Sequence, residues 1–126
     1  ERPGLRRRHL GLGRRVTRGE VWTVSGGPDY AGKPRPALVV QDDAFGATAS
    51  VTICPFTSHQ IDAPLMRLPV VPSPQNGLKA KSHLMVDKVT TVARTKLQRR
   101  LGRLADDDVA RFNRLLLVFL GLGRSK

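Results

Sequence analysis

Short hydrophobic segments separated by polar turns make up most of the chain up to position 104. Residues 20–24 alternate between two faces, which predicts a half-buried β-strand, and the continuous apolar run at 37–41 predicts a strand covered on both faces. Further strands are predicted at 50–56, at 66–71, at 82–92 with a break near 87, and at 101–104. Five or six short strands at this spacing indicate a small barrel or sandwich rather than a parallel sheet.

The pattern changes at the C-terminal end of the chain. Asp106, Asp107 and Asp108 supply an N-cap and negative charge for the first turn of a helix. Apolar residues then recur at helical spacing until Gly121 ends the run; they are Val109, Phe112, Leu115, Leu116 and Phe119. The predicted fold class is therefore mainly β with α, a small antiparallel barrel with one C-terminal amphipathic helix.

The charge of the chain favours a polyanionic partner. It contains 22 Lys and Arg against 10 Asp and Glu, a formal net charge of +12, so nucleic acid is the first expectation and a membrane surface the second. Residues 1–15 form a basic segment with six arginines, either an arm that grips phosphates or an extension upstream of the working domain. The remaining residues, 16–126, are predicted to form one barrel domain that is itself basic.

Several classes of protein are excluded by what the sequence lacks. Cys54 is the single cysteine, so no disulfide framework and no cysteine-based zinc site is expected, and the thiol is predicted to lie in the core. A reducing, cytoplasmic location is consistent with this. No apolar run reaches the ~18 residues of a membrane span, and no histidine pair has the spacing of a metal site. The expectation is a cytoplasmic protein with no metal, no cofactor and no membrane partner.

Arg35 is the most informative single residue, because it lies between Pro34 and Pro36. Proline fixes its own φ and pushes the preceding residue toward extended geometry, so the backbone at Arg35 is unusually well specified. A fixed guanidinium at the end of a strand suits the binding of a phosphate group. The alternative is an exposed loop cation without a task.

Four motifs support a family resemblance. They are Arg18-Gly19-Glu20-Val21-Trp22 with the later Arg35-Pro36 before an apolar strand; Thr57-Ser58 at the end of the next strand; Asp87 in the fifth strand; and Leu101-Gly102-Arg103-Leu104 before a helix that closes on Leu120-Gly121-Leu122. In this order and at these separations they resemble the MazF/PemK family of toxin endoribonucleases. The resemblance covers roughly residues 17–122.

This resemblance implies an SH3-like barrel that works as a homodimer and binds single-stranded RNA in a groove across the subunit interface. It implies cleavage without a metal ion or cofactor at short sequences, leaving 2′,3′-cyclic phosphate and 5′-hydroxyl ends. It also implies a cognate antitoxin that lays an extended segment over the same groove. The residues that match the family's catalytic positions are Arg35 and Thr57, while the general acid and base are not assigned.

Cleavage of RNA by its own 2′-hydroxyl needs alignment, two proton transfers and stabilisation of charge on the phosphorane. Arg35 suits the charge role because it stays protonated and offers forked donors. The Thr57 hydroxyl could donate to a phosphate oxygen or orient the 2′-hydroxyl. Equally, it could cap the strand end through a local backbone hydrogen bond.

Further RNA contacts are predicted around these two residues: Asp29, Tyr30 and Lys33 before Arg35, Ser58 and His59 after Thr57, and Asp87 with Lys88 in the fifth strand. Tyr30 could stack on a base, and Asp87 could either accept hydrogen bonds from a base edge or pair with a nearby arginine. His59 is either a proton carrier or a solvated histidine.

The other cations receive weaker predictions. His83 is predicted to be structural, and Lys79, Lys81 and Arg94 are candidates for additional phosphate contacts. The alternative function for the whole chain is a non-catalytic basic barrel that binds nucleic acid or poisons gyrase, since fold alone does not fix function.

Overall fold

Seven β-strands and one α-helix make up the computed structural model over the residues that it describes, 15–26, 33–59 and 66–124. The strands are β1 (Glu20–Val24), β2 (Arg35–Val39), β3 (Ser50–Thr57), β4 (Arg67–Val70), β5 (Ser82–Met85), β6 (Thr90–Ala93) and β7 (Leu97–Arg103), and the helix is α1 (Asp106–Leu120). The predicted mainly-β fold with a C-terminal helix is confirmed. Most of the predicted basic arm, residues 1–14, lies outside the described residues.

The strands form one antiparallel sheet in the order β4-β5-β3-β2-β1-β7, and β6 pairs with the first half of β3. Among the described residues, strand pairing does not close this sheet into the predicted barrel. The connection between β4 and β5 lies against β7 instead, where Gln75 O accepts a hydrogen bond of 2.8 Å from Arg103 N. The approach is close enough that a Cβ on Gly102 would lie 2.2 Å from Gln75 O.

One predicted strand is divided in two. Residues 82–92 were expected to be a single strand with a break, and they form β5 and β6 separated by a 3₁₀ turn at Val86–Lys88. The side chain of Val86 is fully buried, and its N–H donates to Met66 O rather than continuing the ladder. The last predicted strand, 101–104, is longer than expected because β7 begins at Leu97.

Two apolar clusters cover the two faces of the central strands. The larger one lies on the α1 side and includes Leu38, Phe56, Leu84 and the fully buried Phe112 of the helix. The smaller one lies on the opposite face, where Trp22 packs with alternate residues of β2 and β3. This explains the continuous apolar run of β2, since a strand covered on both faces needs apolar residues at every position.

The helix begins at the first of the three aspartates that were expected to supply its N-cap, which is earlier than predicted. Ala105 is the N-cap, with no side-chain hydrogen bond, and the three aspartates occupy the first turn. The predicted aspartate cap was wrong because the backbone stays extended through Ala105, which leaves the carboxylates to interact with the positive end of the helix. Gly121 ends the helix in the left-handed conformation, as its φ of 73° shows. No helix among the described residues is long and apolar enough to span a membrane.

Candidate functional site

Strand pairing places Arg35 and Thr57 on neighbouring strands. Arg35 begins β2 and lies opposite Val24 of β1, while on the other side of β2 Ala37 lies opposite Pro55 of β3. Continued by two residues, this register would bring Arg35 opposite Thr57, the last residue of β3. Because residues two apart on a strand share a face, both side chains face the side of the sheet that carries the Trp22 cluster.

The same row continues across the sheet. Thr57 lies opposite His83 of β5, and His83 lies opposite Pro69 of β4. We call Arg35, Thr57 and His83 the Thr57 row. The sequence predicted the first two members as catalytic and the third as structural. Only the register between β3 and β5 brings His83 beside Thr57, and a single sequence does not show that register.

The polar atoms of the Thr57 row differ in their surroundings. Arg35 is exposed, whereas Thr57 and His83 are half-buried. The Thr57 Oγ accepts a hydrogen bond of 3.0 Å from the backbone N–H of His59, which is the strand-end role that the sequence left open. The Nδ1 atom of His83 is buried without a hydrogen-bond partner among the described residues. A role for the Thr57 hydroxyl toward RNA stays a prediction.

The predicted RNA contacts flank this row on two loops. Lys33 is exposed just before β2, and Ser58 and His59 are exposed just after β3. Asp29 and Tyr30 fall within 27–32, outside the described residues. On these two loops the structure therefore describes Lys33, Ser58 and His59, and their contact with RNA stays a prediction.

The side chain of Asp87 forms an ion pair with Arg67, a residue that the sequence analysis did not single out. Pairing with an arginine was one of the two roles predicted for Asp87, and contact with a base edge stays a prediction. Burial raises the pKa of the nearby Cys54 thiol to about 12, and the Asp87 carboxylate adds to this. The neighbouring Lys88 is exposed. Cys54 itself is fully buried, as predicted.

Arg94 is not available for the phosphate contact that was predicted for it. Its side chain is 3% exposed, and its guanidinium donates to Thr48 O at 2.6 Å and to Gly46 O at 2.7 Å. The prediction was wrong because this arginine holds the loop before β3 by satisfying backbone carbonyls. Burial lowers the pKa of Arg94, and the charge of Arg15 lowers it further.

An open cavity of about 280 Å³ lies near the end of the sheet where β1 and β2 meet, on the face opposite the Thr57 row, where Leu78 and Leu101 line it. Its lining includes Pro34 and Pro36, which flank Arg35, and the basic residues Lys79 and Arg99. The cavity therefore carries two cations on the face of the sheet opposite the Arg35 side chain. Exposed lysines and arginines of this kind give salt-dependent contacts to a phosphate backbone.

The chemistry available here is that of a fixed cation, a hydroxyl and an imidazole in one row. Such groups can bind a phosphodiester, stabilise additional negative charge on it and orient a neighbouring hydroxyl. Within the described residues, no group of three or more His, Cys, Asp or Glu side chains is placed to hold a metal ion. Whether the chemistry proceeds without a metal ion stays a prediction.

Comparison with known proteins shows which family this chain matches. The family model of the PemK-like, MazF-like toxins of type II toxin–antitoxin systems matches residues 17–120. The chain belongs to this toxin family. The resemblance inferred from the four sequence motifs is thereby confirmed.

Individual members of the PemK/MazF family are similar over most of their length. A Mycolicibacterium smegmatis protein named "Probable endoribonuclease MazF" is 54% identical over 107 residues, which cover 85% of this chain and 98% of the relative. "Endoribonuclease MazF9" of Mycobacterium tuberculosis is 27% identical over 116 residues, with the same coverage of both chains.

Solved structures share the fold. An endoribonuclease in complex with its cognate antitoxin, from a mycobacterial species, superposes with a TM-score of 0.71 at 23% identity and covers 88% of this chain and 98% of its own. A MazE–MazF structure from Deinococcus radiodurans has a TM-score of 0.70 at 23% identity, with coverage of 86% and 98%. At this level of identity the likeness concerns the fold.

Proposed function

We propose that this toxin is an endoribonuclease that cuts single-stranded RNA, including mRNA, at short specific sequences without a metal ion. Its products carry 2′,3′-cyclic phosphate and 5′-hydroxyl ends. The proposal is supported by the 54% identity to a relative named as a probable endoribonuclease. The observation that carries it is the placement of Arg35 and Thr57 on neighbouring strand ends with a common facing direction.

In this reaction the RNA supplies its own nucleophile. The 2′-hydroxyl loses its proton and attacks the adjacent phosphorus, which gives a phosphorane with extra negative charge. The bond from phosphorus to the 5′-oxygen of the next nucleotide then breaks, and that oxygen gains a proton. The Arg35 guanidinium stabilises that charge with donors that match phosphate oxygens. The Thr57 oxygen orients the 2′-hydroxyl for in-line attack, a contribution of alignment rather than of covalent chemistry.

RNA binding in this proposal involves the flanking loops. Lys33, Ser58, His59 and Lys88 are exposed and provide donors to phosphates, while Asp29, Tyr30 and Asp87 provide contacts to bases. The net charge of +12 draws the RNA to the protein through long-range attraction that added salt weakens.

A homodimer and a cognate antitoxin complete the proposal. Large apolar side chains are exposed at the end of α1 and just after it, namely Leu117, Val118, Phe119, Leu120 and Leu122. A contiguous apolar surface of this kind is typical of a protein interface and supports assembly. The similar mycobacterial structure is an endoribonuclease in complex with its cognate antitoxin, which supports an antitoxin for this chain as well. The proposed compartment is the cytoplasm, where mRNA is found.

The proposal is tested by incubating the purified protein with a long unstructured RNA in EDTA and mapping the new ends. Discrete cuts with 2′,3′-cyclic phosphates are expected. Arg35→Ala and Thr57→Ala should abolish them while the thermal unfolding midpoint stays near that of the parent. Arg114→Ala is the matched control, because it removes an exposed positive charge on α1, away from the site.

Two outcomes contradict the proposal in different ways. Binding of RNA without any cut favours the alternative function, a non-catalytic barrel, and the existing hydrogen bond between His59 N and Thr57 fits that alternative. Cuts that persist in both the Arg35 and Thr57 variants would show that the nuclease site lies elsewhere.

A further inference from the structure

We propose that the cavity at the end of β1 and β2 binds one nucleotide of the RNA that lies outside the cleaved phosphodiester. Apolar side chains of the cavity contact the base, and two cations bind the phosphates that flank it. The lining includes Pro34, Pro36, Leu78, Lys79, Arg99 and Leu101, and we call it the Lys79 cavity. This inference deepens the proposed endoribonuclease function and rests on it.

The first observation is the charge of the Lys79 cavity. Lys79 and Arg99 are both exposed, and neither forms an ion pair among the described residues. No acidic side chain lines the cavity in the part of the chain that the structure describes. Cations that have no carboxylate beside them favour a polyanion, and their contacts to phosphates release counterions.

The second observation is the apolar floor between these cations. Leu78 belongs to the larger apolar cluster, Leu101 packs against that cluster, and Pro34 and Pro36 add two rings to the lining. A base that has left its stack is commonly held between apolar or aromatic side chains. An apolar floor with cations at its rim therefore matches the base and the flanking phosphates of one unpaired nucleotide.

The third observation is that the connection between β4 and β5 holds one wall of the cavity in place. Asn76 is buried, and its side-chain oxygen accepts a hydrogen bond of 3.0 Å from Leu78 N. Gly77 has a φ of 72°, and a Cβ there would lie 2.2 Å from Leu101 O, so the connection packs directly on β7. A site that is already formed loses little affinity to ordering when a ligand binds.

The position of the cavity favours RNA as its occupant over an acidic segment of a protein. Pro34 and Pro36 line the cavity, while the side chain of Arg35 between them points to the opposite face of the sheet. An RNA strand that is held at Arg35 has only the end of β2 to pass before it enters the Lys79 cavity. The cavity therefore continues the proposed substrate contact from one face of the sheet to the other.

The first test removes the two cations. Lys79→Gln combined with Arg99→Gln is compared with Arg111→Gln combined with Arg114→Gln, which removes the same charge from exposed positions on α1. Fluorescence anisotropy measures the affinity for a 2′-deoxy-substituted RNA at several salt concentrations. We expect the cavity variant to bind about tenfold more weakly at low salt, with a slope of log affinity against log salt that is smaller by about 1.4, or about 0.7 for each phosphate. The α1 variant should stay close to the parent.

The second test addresses the base. Ala80 lines the cavity and is exposed, so Ala80→Leu fills part of the cavity and leaves its charge unchanged. We expect about fivefold weaker binding, the lower end of the loss for one stacked base. Abasic nucleotides are then placed at each position of the RNA in turn. At one position the abasic nucleotide should weaken binding to the parent and have no further effect on Ala80→Leu.

The third test uses the parent protein without a substitution. RNA that carries 4-thiouridine at each position in turn is irradiated on the protein, and the cross-linked peptides are identified by mass spectrometry. At the position found with abasic RNA, cross-links are expected to residues 78–80 or 99–101.

The inference is overturned if the cavity variant binds RNA like the α1 variant, or if cross-links form only outside the Lys79 cavity. Loss of affinity for an acidic peptide, with RNA binding unchanged, would assign the cavity to a protein partner and also overturn it. A parent that binds RNA in the cavity but makes no cut refutes the proposed endoribonuclease function alone, because affinity and cross-linking are measured without cleavage.

Discussion

The two ends of β3 carry similar residue types, but the hydrogen bonds of their polar side chains differ. At the first end, Thr52 and Thr91 lie opposite each other and their hydroxyls are 2.7 Å apart, while the nearby Arg94 donates to the carbonyls of Thr48 and Gly46. At the other end, Thr57 lies opposite His83, whose Nδ1 lacks a partner among the described residues.

The two arginines near these strand ends also differ, in their exposure to solvent. Arg94 is buried and Arg35 is exposed, although both lie next to an end of β3. Polar groups at the Thr52 end satisfy one another and therefore contribute to stability. At the Thr57 end, the Nδ1 atom of His83 keeps hydrogen-bonding capacity among the described residues, and for that reason the comparison separates fold from function within one strand.

The largest expected effects come from replacing each of the two arginines by alanine. Arg35→Ala should lower the cleavage rate by about 10³-fold, the loss typical of a removed transition-state donor, with the free energy of unfolding almost unchanged. Arg94→Ala should lower the free energy of unfolding by about 3 kcal/mol, because buried carbonyls lose their donors. Single-turnover cleavage and urea denaturation measure the two quantities. The comparison fails if Arg35→Ala unfolds the protein more than Arg94→Ala does.

The two threonines provide the next test. Thr57→Val should slow cleavage by about a hundredfold, because the oxygen that orients the nucleophile is lost. Thr52→Val removes a hydroxyl that pairs with Thr91 and should leave the cleavage rate at the parent value. The assay is single-turnover cleavage of the same RNA. Equal rates for the two valine variants would contradict a special role for the Thr57 end.

Much of this contrast was within reach of the sequence, and part of it was not. Period-two patterning predicted β1, short hydrophobic segments between polar turns predicted strands such as β3, and helical spacing predicted α1, since these signals are local. Arg35 was singled out by its two prolines. In contrast, the position of His83 opposite Thr57 was not predicted, because the two residues are remote in the sequence. Arg94 was misjudged because the loop carbonyls that bury it come from another part of the chain.

A smaller effect should appear in the salt dependence of RNA binding. If Arg35 contacts one phosphate, Arg35→Ala should reduce the slope of log affinity against log salt by about 0.7, the value for a single strand. Arg114→Ala, on the exposed face of α1, should leave the slope unchanged. Fluorescence anisotropy with a 2′-deoxy-substituted RNA at several salt concentrations gives both slopes. An unchanged slope for Arg35→Ala would mean that its guanidinium does not contact phosphate.

The smallest expected effect extends the comparison to a carboxylate whose hydrogen bonds are satisfied. Burial raises the pKa of Glu20, but hydrogen bonds from Thr17, Trp22 and Arg100 outweigh it, so the pKa is lowered overall. A lowered folded-state pKa stabilises the fold above the unfolded value of 4.5, and this contribution is lost as the pH falls through the folded pKa. Since Glu20 is partly solvated, we expect this contribution to the free energy of unfolding to be about 0.5 kcal/mol.

Urea denaturation at pH 7 and at pH 3 should therefore show that acid lowers the free energy of unfolding less for Glu20→Gln than for the parent, with cleavage at pH 7 unaffected. A Glu20→Gln variant that folds normally yet fails to cut RNA would break the rule that satisfied polar groups in this sheet contribute to the fold alone.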